Sequence, residues 1–238
     1  MLKTVKTSKK LISDTAIIIP AYNEDKVIRS VLENALKSFK YVVVINDGSR
    51  DNTSSEAKST KAIVIDHFIN GGGQGGALQT GIDYALTLPV DYFVTYDADG
   101  QHRVEDVLAM REVIVKEKVD IVIGSRFLGL ESINMPKSKK LLLKGGIAFS
   151  NLTSGLKLTD THNGLRVFNR HVAETLNIEE VGFQHASEIT EKIAKHKYSY
   201  KEHPIQVIYS EYSRSKGQSM LNAVNIAGDV ILGKVTGK

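Results

Sequence analysis

Tyr92-Phe93-Val94-Thr95-Tyr96, running directly into Asp97-Ala98-Asp99-Gly100-Gln101, is the stretch on which the fold turns. An unbroken apolar, aromatic and β-branched run fits a strand buried on both faces, as in a parallel sheet, rather than one that alternates toward water. The sudden change to acids, glycine and amide marks its carboxyl end. Outward from there the same grammar repeats. Ala16–Ile19 is an apolar run stopped by Pro20. Tyr41–Ile45 closes on the turn Asn46-Asp47-Gly48-Ser49, Ala62–Asp66 leads to the glycine-rich loop Asn70–Gly76, and Asp120–Gly124 is a further strand. Between these runs the period becomes helical. Val27, Val31, Ala35 and Phe39 recur between Lys26 and Phe39 with Asn23 as a cap, and Thr53-Ser54-Ser55-Glu56 has the capping-box pattern. One helix continues from the glycine loop to about Leu86 and another follows Gln101. Strands alternating with helices predict an α/β fold with a doubly wound, mostly parallel sheet and helices on both faces. Ligands of such sheets sit at the carboxyl ends of strands. Asn46–Ser49, Asn70–Gly76 and Asp97–Gln101 all lie there.

The 238 residues, 42% hydrophobic and 24% charged with no cysteine, describe an ordinary globular chain. Thiol catalysis, Fe–S clusters and cysteine–zinc sites are excluded, and a reducing compartment fits. The seven histidines show no H-x-H or H-E-x-x-H spacing. G-x-S-x-G and the P-loop pattern are absent. A net charge of +4 permits contact with anionic lipid or phosphate and gives no argument for nucleic acid. No run approaches the roughly 18–20 apolar residues that span a bilayer. The apolar stretch behind the basic N-terminus is too short for a signal-peptide core. The expectation is a cytoplasmic chain, soluble or peripheral on the cytoplasmic face of the membrane.

Residues 1–14 read as a basic tail, 15–220 as one domain and 221–238 as an amphipathic helix (Leu221, Val224, Gly228, Ile231). Between Ser132 and Thr159 stand five lysines (137, 139, 140, 144 and 157) and no acid, with Leu141, Gly145, Ala148 and Leu152 on one helical face. Such a helix either lies on an anionic membrane surface or packs that face on the sheet.

Asp97, Asp99 and Gln101, at i, i+2 and i+4 in extended chain, present three oxygen donors to one side, a set suited to Mg²⁺ or Mn²⁺ completed by substrate phosphate and water. The competing reading is an Asx-rich turn before the helix at Val104. Gly71–Gly76 contains a literal G-x-G-x-x-G with Asp97 roughly 20 residues beyond, the pattern of a dinucleotide-binding dehydrogenase. Against that reading, the motif follows the third strand rather than the first. A helix start also favours any anion, and a loose turn is the plain alternative. Asn46-Asp47-Gly48-Ser49 is either a tight turn or a carboxylate placed to accept from a nucleobase or ribose.

Ile17-Ile18-Ile19-Pro20-Ala21-Tyr22-Asn23-Glu24, Asn46-Asp47-Gly48-Ser49-Arg50-Asp51, Asp97-Ala98-Asp99-Gly100-Gln101-His102 and Gly124-Ser125-Arg126-Phe127 occur in the order seen in family 2 glycosyltransferases of the GT-A fold, which the chain resembles. Thr159–Phe168 and Arg214-Ser215-Lys216-Gly217-Gln218-Ser219 resemble later signatures of the polyprenyl-phosphate hexose synthases, the dolichyl-phosphate mannose synthase group. The resemblance implies inverting transfer of a hexose from a UDP- or GDP-sugar. Pro20, Ala21, Tyr22, Glu24, Asp47, Gly72, Gln74, Asp97, Ala98 and Asp99 would hold the nucleotide sugar. Asp97, Asp99 and Gln101 would hold Mg²⁺ or Mn²⁺. Arg126, Arg166, Arg214, Lys216 and Ser219 would bind acceptor and phosphates, and Glu188 falls where the family carries an acid near the sugar. Two departures stand out: Gln74 replaces a lysine common in relatives, and Met220 replaces the lysine that tends to follow R-x-x-G-x-S. A polyprenyl phosphate acceptor is already ionised and needs no base. A sugar hydroxyl, as in polysaccharide synthesis, needs a carboxylate to take its proton, with Asp160 and Glu188 as candidates. A lipid-linked acceptor implies docking on an anionic membrane, with a membrane-protein partner as a further anchor.

Overall fold

The computed structural model describes residues 11–130 and 132–216. The chain order is β1 (Ile12–Ala21), α1 (Ile28–Leu36), β2 (Phe39–Asp47), α2 (Thr53–Lys58), β3 (Ile63–His67), α3 (Gly73–Leu86), β4 (Tyr92–Thr95), α4 (Val104–Glu117) and β5 (Ile121–Ser125). There follow α5 (Lys137–Ser154), β6 (Arg166–Asn169), α6 (Arg170–Thr175), a 3-10 turn (Gly182–Gln184), α7 (His185–His196), β7 (Tyr200–Pro204) and α8 (Glu211–Lys216). The sheet order is β3-β2-β1-β4-β6-β5-β7, and only β6 runs antiparallel to its neighbours. Its reversal has a direct consequence. The start of β6, not its end, lies at the edge where the other strands finish, so the loop before Arg166 joins the ligand edge.

The sheet is covered on both faces, as the apolar runs require. Ile17 and Ile19 of β1 and Val42 and Val44 of β2 pack with Leu32 of α1 and Met110 of α4. The intervening Ile18, Val43 and Ile45 pack with Leu78 and Ile82 of α3 and Ile189 of α7. Alternate side chains thus feed two cores. Among the described residues no helix is long and apolar enough to cross a membrane.

Several local expectations change. Pro20 sits inside β1 instead of ending it. Ile18 turns its carbonyl to Tyr96, so Pro20, two residues on, lacks its N–H on the side where β4 has already ended. β1 begins at Ile12, within the stretch read as tail. Phe39 opens β2 rather than closing the helix, and Val27, not Asn23, precedes α1. The capping box does not form: Thr53 is the first helical residue, its hydroxyl bonds Asp51, and Glu56 takes Arg29 instead. Gly73–Gly76 is the first turn of α3 and not loop.

Helix α5 settles its own ambiguity in part. Leu141 and Leu152 are 75% and 83% exposed, and Gly145 and Ala148 are exposed with them. Ile147 and Ser150, on the other side, are buried. Packing of the Leu141 face on the sheet is therefore overturned. Lys137, Lys140, Lys144 and Lys157 are exposed, while Lys139 turns inward. The helix read over 221–238 lies outside the described residues.

Candidate active site

β4 ends at Thr95 in the centre of the sheet, and its continuation is held by short local bonds. Tyr96 N–H donates to Ile18 O at 3.0 Å and its hydroxyl to His102 O at 2.6 Å. Gln101 donates to Asp99 twice, from the backbone at 3.0 Å and from Nε2 at 2.6 Å. Asp97 receives Gln74 Nε2 at 3.1 Å and His102 Nε2 at 2.9 Å. Gly164 lies flat against this carboxylate, where a Cβ would come within 2.3 Å of an Asp97 oxygen. No side chain fits there.

The electrostatics of the two acids differ. Burial opposes ionisation of Asp97, but His102, His185 and Arg166 hold its carboxyl below the usual range. Asp99 is pushed up to about 6 by burial and by the charge of Asp97. Gln101, its amide nitrogen tied to Asp99, can offer its oxygen beside them. Among the described residues no group of three or more histidines, aspartates and glutamates forms a ready metal cage. Two carboxylates and an amide fit a hard divalent cation that draws the rest of its shell from phosphate and water.

Beside this lies a cleft of about 480 Å³ lined by Tyr22, Gly48, Ser49, Arg50, Phe68, Ile69 and Asn70, at the ends of β1, β2 and β3. Its walls are tied together. Asn23 N–H donates to Ser49 Oγ and Arg50 N–H to Asn23 Oδ1, both at 2.9 Å, and Glu24 N–H donates to Thr53 Oγ1 at 2.7 Å. Asp47, 2% exposed, has His67 Nδ1 at 2.8 Å. Pro20 and Ala21 are buried, and Glu24 accepts from Tyr212 Oη at 2.7 Å. Phe68 is fully exposed on the rim.

The third component is cationic. Arg126 grips Asp160 as a fork, Nε at 2.6 Å and Nη2 at 2.8 Å, with Tyr209 Oη 3.5 Å from Nη1. Asp160 is fully buried, and its charge outweighs the burial that would otherwise lower the Arg126 pKa, holding it above the usual value. The loop of Asp160 is fixed by Glu202 of β7, which accepts from the Thr159 and Asp160 N–H groups. Lys139 lies 4.8 Å above the Tyr209 ring, where burial and the charge of Arg126 lower its pKa. Arg166 is buried within reach of the charges of Asp97 and Asp160, pushed down to about 10 by that burial, with its Nη1 unpartnered.

The structure thus gathers Asp97, Ala98, Asp99, Gln101, Gln74 and Arg166 around one edge, with Arg126 and Asp160 at its side. Glu188 is engaged otherwise. It accepts from Glu179 and Glu180 N–H and pairs with Lys192 at 2.8 Å, which holds the turn before α7. A carboxylate so occupied is a poor base, and so is Asp160 in its Arg126 fork. Arg214 and Lys216 lie on α8, and Ser219 falls outside the described residues. The dinucleotide reading of Gly71–Gly76 is overturned. Gly182 N–H bonds Gly72 O at 3.4 Å, and a Cβ on Gly75 would meet Glu180 O at 2.0 Å, so chain covers the helix start where a diphosphate would approach.

His102, His67, Lys139 and Tyr212 were not legible as site residues. His102 lies five residues past Asp97, and its role needs the loop to fold back. His67 pairs with Asp47 across the β2–β3 register, a signal available once those strands are placed side by side.

Residues 16–176 match the family model described as Glycosyl transferase family 2. The chain is 34% identical over 227 residues to a UDP-N-acetylglucosamine--dolichyl-phosphate N-acetylglucosaminyltransferase of Methanococcus voltae, covering 86% of this chain and 90% of that one. It is 29% identical over 209 residues to an undecaprenyl-phosphate mannosyltransferase of Micrococcus luteus, covering 84% and 85%. In fold it matches glucosyl-3-phosphoglycerate synthase from Mycobacterium tuberculosis, solved in complex with Mn²⁺ and UDP-glucose, with a TM-score of 0.71 at 15% identity over 94% of this chain and 78% of that one.

Proposed function

The chain belongs to glycosyl transferase family 2, and from that premise we propose that it transfers a hexose from a UDP- or GDP-sugar, with inversion, to a polyprenyl phosphate at the membrane surface. The nucleoside occupies the cleft between Tyr22 and Phe68, with Asp47 beneath it. A divalent cation, Mg²⁺ or Mn²⁺, held by Asp97, Asp99 and Gln101 would supply positive charge against the diphosphate leaving group. His102 and Gln74 hold Asp97 in place, and Gly164 lets the backbone lie against it. Arg126 and Lys139 meet the acceptor phosphate, and the R-x-x-G-x-S signature assigns phosphate binding to Arg214, Lys216 and Ser219.

The observation that carries the acceptor class is the pairing of Arg126 and Lys139 with a helix whose apolar face is bare. Lys139 points inward from α5, while Leu141 and Leu152 of the same helix face outward. A phosphate head would meet the cations as its lipid tail followed the helix. Asp160 and Glu188 are both consumed by structural bonds, which favours an acceptor already ionised over a sugar hydroxyl. The relatives of Methanococcus voltae and Micrococcus luteus carry dolichyl phosphate and undecaprenyl phosphate in their names. With acceptor and donor positioned, the remaining task is orientation and charge control.

Incubation with a panel of UDP- and GDP-hexoses, Mn²⁺ and a short polyprenyl phosphate, followed by mass analysis of the lipid, tests the reading. A hexosyl phospholipid is expected. Product formed only on sugar hydroxyls would move the acceptor to the polysaccharide alternative. UDP or GDP with Mn²⁺ should also raise the melting temperature, since a ligand of the native state stabilises by RT ln(1 + [L]/Kd).

The four exposed lysines of 137–157 contribute about 1 kcal/mol each near anionic lipid and less once screened. Sedimentation with anionic vesicles is therefore expected at low salt, falling steeply at high salt, and Leu141→Glu with Leu152→Glu should abolish it. Binding indifferent to lipid charge and to both substitutions would remove α5 as the docking surface.

A further inference from the structure

Transfer from a diphosphate to a phosphate needs the two charged ends held a set distance apart, and one stretch of chain, 159–166, touches the holders of both. Near its start Asp160 grips Arg126 through the guanidinium fork. Four residues on, Gly164 backs the carboxylate of Asp97.

The stretch is buried and tied at each step. Asp160, Thr161, Asn163, Leu165 and Arg166 are each no more than 2% exposed. Glu202 accepts from Thr159 N–H at 2.8 Å and from Asp160 N–H at 3.1 Å. Asn163 Oδ1 accepts from Leu165 N–H at 2.7 Å, an Asx turn that braces the glycine between them. Gly164 O accepts from Thr95 Oγ1 at 2.6 Å, and Leu165 O from Gly124 N–H at 3.0 Å. Arg166 then pairs with Thr95 on one side and Ile123 on the other. The turn is thereby pinned to β4, β5 and β7 at once.

The glycine shows what this rigidity is for. Its φ is not positive, so no left-handed backbone calls for glycine there. The need is for space: the three atoms nearest an added Cβ are Asp97 Oδ2, Oδ1 and Cγ, at 2.3, 2.4 and 2.6 Å. With the backbone of Gly164 held from two strands, a methyl group there displaces the carboxylate and not the turn.

We infer that the 159–166 stretch is a rigid spacer that fixes the separation of the Asp97 carboxylate from the Arg126 guanidinium, with Gly164 and Asp160 as its positioning residues. The inference rests on the reading above, in which Asp97 holds the cation on the donor and Arg126 meets the acceptor. Spacing matters there because the reaction depends on where the two phosphates stand.

Gly164→Ala tests it, since alanine keeps every backbone bond of the turn. The melting temperature and the acceptor KM should stay at wild-type values, because the Arg126 end does not move. Mn²⁺ affinity in the presence of UDP, followed by electron paramagnetic resonance, should fall about tenfold. At saturating donor, Mn²⁺ and acceptor, kcat should fall about a hundredfold. An unchanged kcat at saturation would overturn the inference while leaving the transferase reading intact. A lowered melting temperature or a raised acceptor KM would overturn it too, by showing that the turn itself gives way. Absence of product from every nucleotide sugar in the wild type would instead sink the reading. In that event a measurement on metal-free protein decides separately. His102 Nε2 donates to Asp97 Oδ2 at 2.9 Å, and the proton and nitrogen-15 resonances of that N–H should shift in Gly164→Ala. Unmoved resonances refute the spacer.

Discussion

Asp99→Asn lowers sugar transfer by about 10²- to 10³-fold, the scale seen when one preorganised electrostatic contact to a developing charge is removed, and leaves the melting temperature unchanged or raised. The second half of the expectation comes from the charges. Asp99 is half-buried next to ionised Asp97, and its pKa of about 6 reflects that its negative form is disfavoured in the folded chain. Asparagine keeps the shape and removes the repulsion. Wild-type enzyme in excess chelator should fall to the same residual rate, and the variant should be indifferent to chelator. Full activity of Asp99→Asn, or of the wild type without divalent metal, would remove the cation from the account. A loss of folding in the variant would show instead that the carboxylate is structural.

Arg126→Met has the largest expected effect on stability. Asp160 is fully buried and its carboxylate is answered by the Arg126 fork. Removing one member of a buried pair strands the other charge, at a cost of about 3–5 kcal/mol. For a chain of this size that is roughly a 10 °C drop in melting temperature. Arg126→Met combined with Asp160→Asn should recover much of the loss, because the stranded charge is gone and the amide oxygen can still accept from one of the two backbone N–H groups, of residues 126 and 162, that bond separate Asp160 oxygens. Transfer should not recover in the double variant, since the cation proposed to meet the acceptor is gone. A double-mutant cycle with no coupling between the two positions would show that the fork contributes nothing. Restored activity would show that Arg126 serves only Asp160.

What could be read from sequence follows from what each residue answers to. The central strands were legible because β1, β2 and β4 are buried on both sides, so each position obeys one local requirement. Their ends were less so: Pro20 stays in β1 because β4 is shorter than β2, a fact about neighbours. The cluster Asp97–Gln101 was legible because its donors lie within five residues. Its support was not, since Gln74, His102 and Gly164 reach it from three segments. Helix α5 shows the limit most clearly. Its apolar face was visible in the spacing, but its direction depends on Ile147 and Ser150 being the side the body takes up. Glu188 was legible as an acid of the right type, while its bonds to Glu179 and Glu180 are local turn chemistry that the family resemblance does not encode.

The reversed β6 divides labour along the sheet. Everything up to β4 builds the cleft in which we place the nucleotide, and the excursion from Arg126 through α5 to Arg166 leaves and re-enters at a single rim. Such an excursion is exchangeable as a cassette where the replacement keeps its ties to the sheet, the Thr159 and Asp160 N–H bonds to Glu202 and the bridge from Ile133 to Ile208. Grafting the 126–165 stretch of one relative onto the body of another is thus a route to hybrid enzymes with one donor preference and a borrowed acceptor.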